Sequence, residues 1–248
     1  MRKLEVHMLP RMEYEAAWEL QKRLVKEIDR GERPDTLLLL EHPPTYTIGS
    51  DRHPEHLLLG PEELKRRGIA VFEIDRGGDI TYHGPGQLVG YPLLYLDAAG
   101  LDLHGYLRNL EQALIELLAE FGLKGGRKPA YTGVWVGDVK IAAIGVKFNK
   151  ARARRGFVTS HGFALNIRRR VEQDGFSGII PCGITEYGVT SLEKETGVAP
   201  APEEVGRRFV PHFCRVFGYD TVTIETPFQS TSAPSTGALP QASQSSQF

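Results

Sequence analysis

The middle of this chain is written in short strand-like runs separated by Gly and Pro, and that pattern restricts the fold most. The clearest instance is IAVFEIDRGGDITYHGPGQLVGYPLLYL, which reads as strand, Gly-rich turn, strand, break and strand. KLEVHML alternates as a strand does, and DTLLLLEHP is a continuous apolar run ended by prolines, the mark of a buried strand. TYTIGS is a shorter strand, FVTSHGFALNI another and DTVTIE the last. TGVWVGDVKIAAIGVKF is a hairpin, with Gly137-Asp138 as the two-residue turn between β-rich arms. Helices punctuate these strands. In EYEAAWELQKRLVKEIDRG, Ala17, Leu20, Leu24 and Ile28 fall at helical spacing before Gly31. PEELKRRG opens on Pro and closes on Gly, as a short helix does. Leu107, Leu110, Leu114, Leu117 and Phe121 mark a further helix, and PEEVGRRFVPHFCRVFG one that Pro211 should kink or restart. The expected class is α/β (α+β): a single domain over residues 1–225 with a mixed β-sheet flanked by helices. After Glu225 the chain carries no charge and is rich in Ser, Gln, Thr and Pro, so residues 226–248 are expected to be a disordered tail.

A length of 248 residues suffices to bury a sizeable core. No apolar run approaches the ~20 residues of a spanning helix, and the N-terminus lacks the apolar stretch of a signal peptide. Two cysteines make no disulfide framework, and the expectation is a reduced, cytoplasmic protein. A net charge of −1 points neither to nucleic acid nor to a membrane surface. The distribution is uneven, however. From Phe121 to Val171 there are twelve Lys and Arg against one acid, Asp138. Such a block is either a solvated face or a surface that steers an acidic partner.

Four places could carry chemistry. Arg76 to Gly86 packs four glycines, Pro85 and His83 between strands. Glycine lets backbone approach a ligand closely, and it also builds plain hairpin turns; by spacing the two readings stand equal. The stretch is not a phosphate loop, since no Gly-x-x-x-x-Gly-Lys-Ser/Thr occurs, and no helix follows it as a dinucleotide site requires. Lys140 lies among Val139, Ile141, Ala142 and Ile144, where strand alternation can still point it at water. His161, beside Gly162 in an apolar strand, reads as a hydrogen-bonded core histidine. Cys182, between Pro181 and Gly183, is set in a turn, whereas Cys214 in FVPHFCRVF reads as core. A thiolate at Cys182 would need a nearby cation to lower its pKa from ~8.5. No cluster of His, Cys, Asp and Glu suggests a metal.

Together RGGDITYHGPGQLVGYPLLYL, KIAAIG, TSHGFALNI and IIPCGI…VTSL, supported by EHPPTYTIG and GVWV, resemble the octanoyltransferase (lipoyl/octanoyl transferase) family from about Glu41 to Leu192. The resemblance implies a fold like that of lipoate and biotin protein ligases. It implies transfer of an octanoyl group from acyl carrier protein to a lysine on lipoyl domains of 2-oxoacid dehydrogenases or the glycine cleavage H protein. It implies an acyl-thioester on Cys182, with Lys140 as acid/base partner of the thiol and His161 in support. The acyl chain is then expected against Arg76, Gly77, Gly78, Asp79, Ile80, Thr81, Tyr82 and His83, against Ala143, Ile144 and Gly145, and against Gly162, Phe163 and Ala164. No cofactor is implied: a thioester is already activated, so ATP is not required. The basic block becomes a docking surface for acidic carrier and lipoyl domains. KFNKARARRGF and RRRVEQDGF are longer than the usual links and are expected to be surface loops. The rival readings are an ATP-dependent lipoate ligase of the same fold and a carrier-binding module without turnover.

Overall fold

The computed structural model describes residues 2–97, 102–181 and 187–225. The expected tail, 226–248, lies outside the described residues. The elements, in chain order, are β1 (Lys3–Met8), α1 (Tyr14–Arg30), β2 (Asp35–Leu40), β3 (Thr45–Ile48), α2 (Pro61–Arg67), β4 (Ala70–Glu73), β5 (Ile80–His83), β6 (Gln87–Leu93), β7 (Tyr95–Asp97), α3 (Leu103–Glu120), β8 (Gly125–Lys128), β9 (Tyr131–Val136), β10 (Val139–Lys150), β11 (Gly156–Asn166), α4 (Leu192–Thr196), α5 (Pro202–Phe217) and β12 (Thr221–Glu225).

The large sheet is mixed, as expected, and runs β12-β1-β2-β6-β11-β10-β9-β8, with β7 pairing beside β11. β1 is parallel to both β12 and β2. From β2 through β8 every neighbouring pair along that order is antiparallel. β4-β3-β5 form a separate small sheet that the sequence pattern does not separate from the large one.

Helices cover both faces of the large sheet because each buries one apolar stripe. On one face α1 sets Ala17, Leu20, Leu24 and Ile28 against Leu38, Val89, Tyr91 and Ala164. Burying Leu20, Leu24 and Ile28 contributes roughly 5–9 kcal/mol as an upper estimate. On the other face α3 and α5 set Leu110, Leu114, Phe209 and Phe213 against Leu37, Leu88, Phe163 and Leu165. The small sheet has its own core of Tyr46, Ile80, Tyr82, Phe176 and Ile179. Among the described residues no helix is long and apolar enough to cross a membrane.

Of the two outcomes expected at Pro211, a restart does not occur: α5 is continuous from Pro202 to Phe217. Pro211 is exposed, while Val210, Phe213 and Cys214 hold the buried face around it. Most of KFNKARARRGF, expected as a loop, is strand. Lys147–Lys150 pair with Phe157–Ser160, so only residues 151–155 make the turn between two long strands. RRRVEQDGF turns instead into a short helical segment, Val171–Gly175, ahead of Phe176. Cys214 lies in the core as read from the sequence, and burial pushes its thiol up to about 11.

Candidate active site

β10 and β11 pair in register with Ala143 opposite Ala164, Ile144 opposite Phe163 and Gly145 opposite Gly162. Small residues on facing strands leave a furrow on the α1 side of the sheet. The small sheet and the N-terminal end of α1 roof that furrow. The resulting cavity is lined by Arg76, Gly77, Gly78, Thr81, His83, Ala143, Ile144, Gly145, Gly162, Phe163 and Ala164, and by Tyr14, Tyr91 and His161. Three residues expected on this wall lie elsewhere. β5 alternates, so Thr81 and His83 face the cavity while Ile80 and Tyr82 point into the small-sheet core. Asp79 turns to the His56 ring instead.

Polar groups around the cavity are held by partners. The Arg76 guanidinium donates to the Thr47 carbonyl (2.7 Å), to Thr47 Oγ1 (3.0 Å) and to the Gly77 carbonyl (3.0 Å). His83 Nδ1 meets Gln87 Oε1 at 3.0 Å, and burial pushes its imidazole well below the usual range. Behind it, His42 bridges the Met12 carbonyl and the Tyr91 hydroxyl, and burial brings its pKa down to about 4. His161 is 2 % exposed and its Nε2 meets Asp75 Oδ1 at 2.9 Å, so it is a hydrogen-bonded buried histidine as read from the sequence.

Lys140 stands at the start of β10, three residues along the strand from Ala143. It is only 8 % exposed. Alternation alone left water as its destination, but Nζ donates to the Thr132 carbonyl at 3.3 Å and lies 4.9 Å from the Trp135 ring centre. The carbonyl is presented by a kinked stretch of β9. Gly133 has φ 132°, and a Cβ there would stand 2.6 Å from the Ala142 carbonyl oxygen. Glu111 of α3 fixes the kink: its Oε1 accepts the Gly133 N–H at 3.1 Å, and its Oε2 accepts Arg108 and Arg127.

Cys182 lies outside the described residues, as do residues 183–186. The chain on either side is well tied. Before them, Ile180 N–H donates to the His56 carbonyl (2.9 Å) and Leu58 N–H to the Gly178 carbonyl (3.0 Å). After them, the Lys140 N–H donates to the Gly188 carbonyl and the Thr190 N–H to the Lys140 carbonyl, both at 2.9 Å. Tyr187 packs on Trp135, ring centres 5.5 Å apart. A buried polar chain joins this segment to the cavity: His83 to Gln87, Gln87 to Asn166 (2.9 Å), Asn166 to the Thr190 carbonyl (3.0 Å).

Tyr14, Tyr91, Asp75 and Glu111 escape the sequence reading as site residues. Glu111 carried a signal, an acid between Leu110 and Leu114 on an otherwise apolar stripe. Asp75 directly precedes Arg76. Nothing local marks Tyr14 and Tyr91, which tertiary packing brings to the cavity. Several of the twelve cations have partners within the chain. Lys147 pairs with Asp75, Arg127 with Glu111 and Lys128 with Asp138, while Arg154 stacks on Tyr95. Among the described residues no group of three or more His, Cys, Asp or Glu is placed to hold a metal.

The layered mixed sheet is a fold shared with solved lipoate protein ligases. A bipartite lipoate protein ligase of Thermoplasma acidophilum, whose structure is described with its E2 lipoyl domain, superimposes with a TM-score of 0.67 at 15% identity, covering 92% of this chain and 89% of that one. Residues 13–214 match the lipoyl protein ligase A/B catalytic domain. An octanoyltransferase of Chloroflexus aurantiacus is 49% identical over 222 residues, 89% of this chain and 96% of that protein. One of Rubrobacter xylanophilus is 52% identical over 217 residues, 87% and 94% respectively. The chain belongs to the octanoyltransferases of the lipoyl protein ligase A/B family, and its activity is octanoyl transfer in protein lipoylation.

Proposed function

We propose that octanoyl-acyl carrier protein is the donor, that Cys182 carries the octanoyl group as a thioester, and that a lysine of a lipoyl domain is the acceptor. The observation that carries this reading is a lysine buried at one end of a furrow of small residues and zipped through its backbone to Gly188 and Thr190, a few residues past Cys182. A lysine ammonium held there favours the thiolate, the attacking species.

The thiolate of Cys182 attacks the donor carbonyl and the donor C–S bond breaks. The departing carrier thiolate takes a proton from the Lys140 ammonium. The acceptor amine then attacks the acyl-enzyme, gives its proton to the now neutral Lys140, and expels the Cys182 thiolate. One amine serves both half-reactions, and its burial eases the loss of charge that the first requires. An octanoyl tail in the furrow contributes on the order of 5 kcal/mol at ~0.8 kcal/mol per carbon. The lipoyl-domain acceptor accords with the Thermoplasma relative, which is described with such a domain.

The test is mass spectrometry of the full chain mixed with octanoyl-acyl carrier protein. An octanoyl adduct that is lost in Cys182→Ser supports the proposal. Acylation of a lipoyl domain from free octanoate and ATP, with no adduct on the enzyme, overturns it in favour of a ligase.

A further inference from the structure

We propose that His161, held by Asp75, is the end-stop of the acyl furrow and sets the length of chain the enzyme accepts. The proposal rests on the octanoyl-transfer reading above and adds the residue that limits the substrate.

Order along β10 and β11 gives the furrow a direction. Lys140 lies at one end; Ala143 opposite Ala164 and Gly145 opposite Gly162 form the floor; Val146 opposite His161 comes next. From Ala143 to Val146 the strand rises about 10 Å, the length scale of an extended octanoyl tail. Gly77 N–H donates to the Val146 carbonyl at 2.9 Å, so the Arg76–Gly78 turn roofs the same far end. Beyond His161 stand Asp75 and Lys147, paired with each other and partly in water, with side chains 44 % and 36 % exposed. His161 therefore separates the furrow from solvent at the end opposite Lys140.

Its conformation is unusual for a wall residue. Gly162 and Ala164 face the cavity, so alternation would send position 161 to the opposite face. A left-handed backbone, φ 56°, turns it back, and among the described non-glycine residues no other has positive φ. Its N–H is accepted by Gln21 Oε1 of α1 at 2.8 Å, and its ring lies 6.4 Å from Trp18. Nδ1 is buried and finds no hydrogen-bond partner among the described residues. A strained backbone and an unmatched polar atom at a pocket wall are features that packing alone would remove. Here they place a rigid ring across the furrow, locked by a carboxylate on its far side. Burial keeps the imidazole neutral against the pull of Asp75, so a closing ring rather than a charge meets the chain terminus. A longer chain has to displace the ring and break the Asp75 bond.

The test compares kcat/KM for acylation of the full chain by hexanoyl-, octanoyl-, decanoyl- and dodecanoyl-pantetheine. Wild type should favour octanoyl. His161→Ala should raise the decanoyl-to-octanoyl ratio by about 10-fold or more, the lower range for one or two methylenes in an apolar pocket. Asp75→Ala, which leaves the ring present but unlocked, should move the ratio the same way by less, and it carries the test where His161→Ala does not fold. Gly145→Ala should tilt the profile toward hexanoyl, because its Cβ would stand 3.0 Å from Arg76 Cδ and the Gly77 carbonyl oxygen, inside the far end. A wild type acylated by octanoyl whose profile is the same in the folded His161 and Asp75 variants overturns the end-stop alone. A wild type acylated by none of the thioesters overturns both this inference and the proposed function.

Discussion

Replacing Glu111 by Leu should destabilise the protein and disable Lys140 at the same time. The Glu111 carboxylate is 1 % exposed, and its partners differ in how well they can do without it. Arg108 and Arg127 are 50 % and 33 % exposed, so both guanidinium groups can rehydrate. The Gly133 N–H is buried and cannot. Stranding one buried donor costs about 1–3 kcal/mol, and removing one partner of a wholly buried ion pair costs about 3–5 kcal/mol. With the cations half in water, the expectation is roughly 2–3 kcal/mol. Glu111→Gln keeps an acceptor for Gly133 and should cost about 1 kcal/mol, on the scale of one weakened hydrogen bond. Urea unfolding at pH 7 reads both values, and for a chain of this size the Leu variant should melt roughly 5–10 °C lower. The second readout is acylation. Glu111 holds the kink that offers the Thr132 carbonyl to Lys140, so the Leu variant should lose more activity than its unfolded fraction explains. A Leu variant within about 0.5 kcal/mol of wild type, a surface-like change, would refute the reasoning. It would mean that a buried apolar side chain replaces the network without loss, as happens in some proteins.

Two further outcomes follow from the same geometry. A free thiol of pKa ~8.5 is about 3% thiolate at pH 7, so loss of the cation alone can slow acylation by at most about 30-fold. Lys140→Met should reach at least that loss and recover part of it at pH 9. Lys140→Arg keeps the charge that favours the thiolate but cannot release or take up the proton, so it should be acylated more slowly than wild type and turn over poorly; wild-type acylation by the Met variant would remove Lys140 from the mechanism. Stability should also fall on acidification. His42, His83 and His161 all have folded pKa values depressed by burial, so below about pH 6.5 the unfolded chain binds protons that the folded chain refuses. For His42, at about 4, the effect grows to on the order of 3 kcal/mol near pH 4; equal denaturation midpoints at pH 7.5 and pH 5 would contradict this.

Local rules made much of the fold legible in advance. The stripe Ala17, Leu20, Leu24, Ile28 and the stop at Gly31 define α1, whose end takes the left-handed φ of 74° that glycine allows. Pro61 with Gly68, and Gly137-Asp138 between β9 and β10, are equally local signals. Cys214 among aromatic residues could be read as core from its neighbours alone. Four motifs in order carried the family, and with it a wall of Gly and Ala.

What the chain could not state locally is which faces meet. Period-two alternation assigns Thr81 and His83 to one side and Ile80 and Tyr82 to the other, but only the separation into two sheets decides which side is the cavity. Alternation also failed at His161, where a left-handed residue reverses the face, stabilised by Gln21 and Asp75 from distant segments. Lys140 reads locally as a residue that can reach water. It is buried because its hairpin partner β9, held from behind by Glu111 of α3, and the distant strand-like stretch after Tyr187 close on it from two sides. Short-range chemistry determined the elements and the small residues of the furrow. Long-range pairing determined its roof and completed the burial of Lys140, since burial and hydrogen-bond satisfaction are properties of the assembled layers.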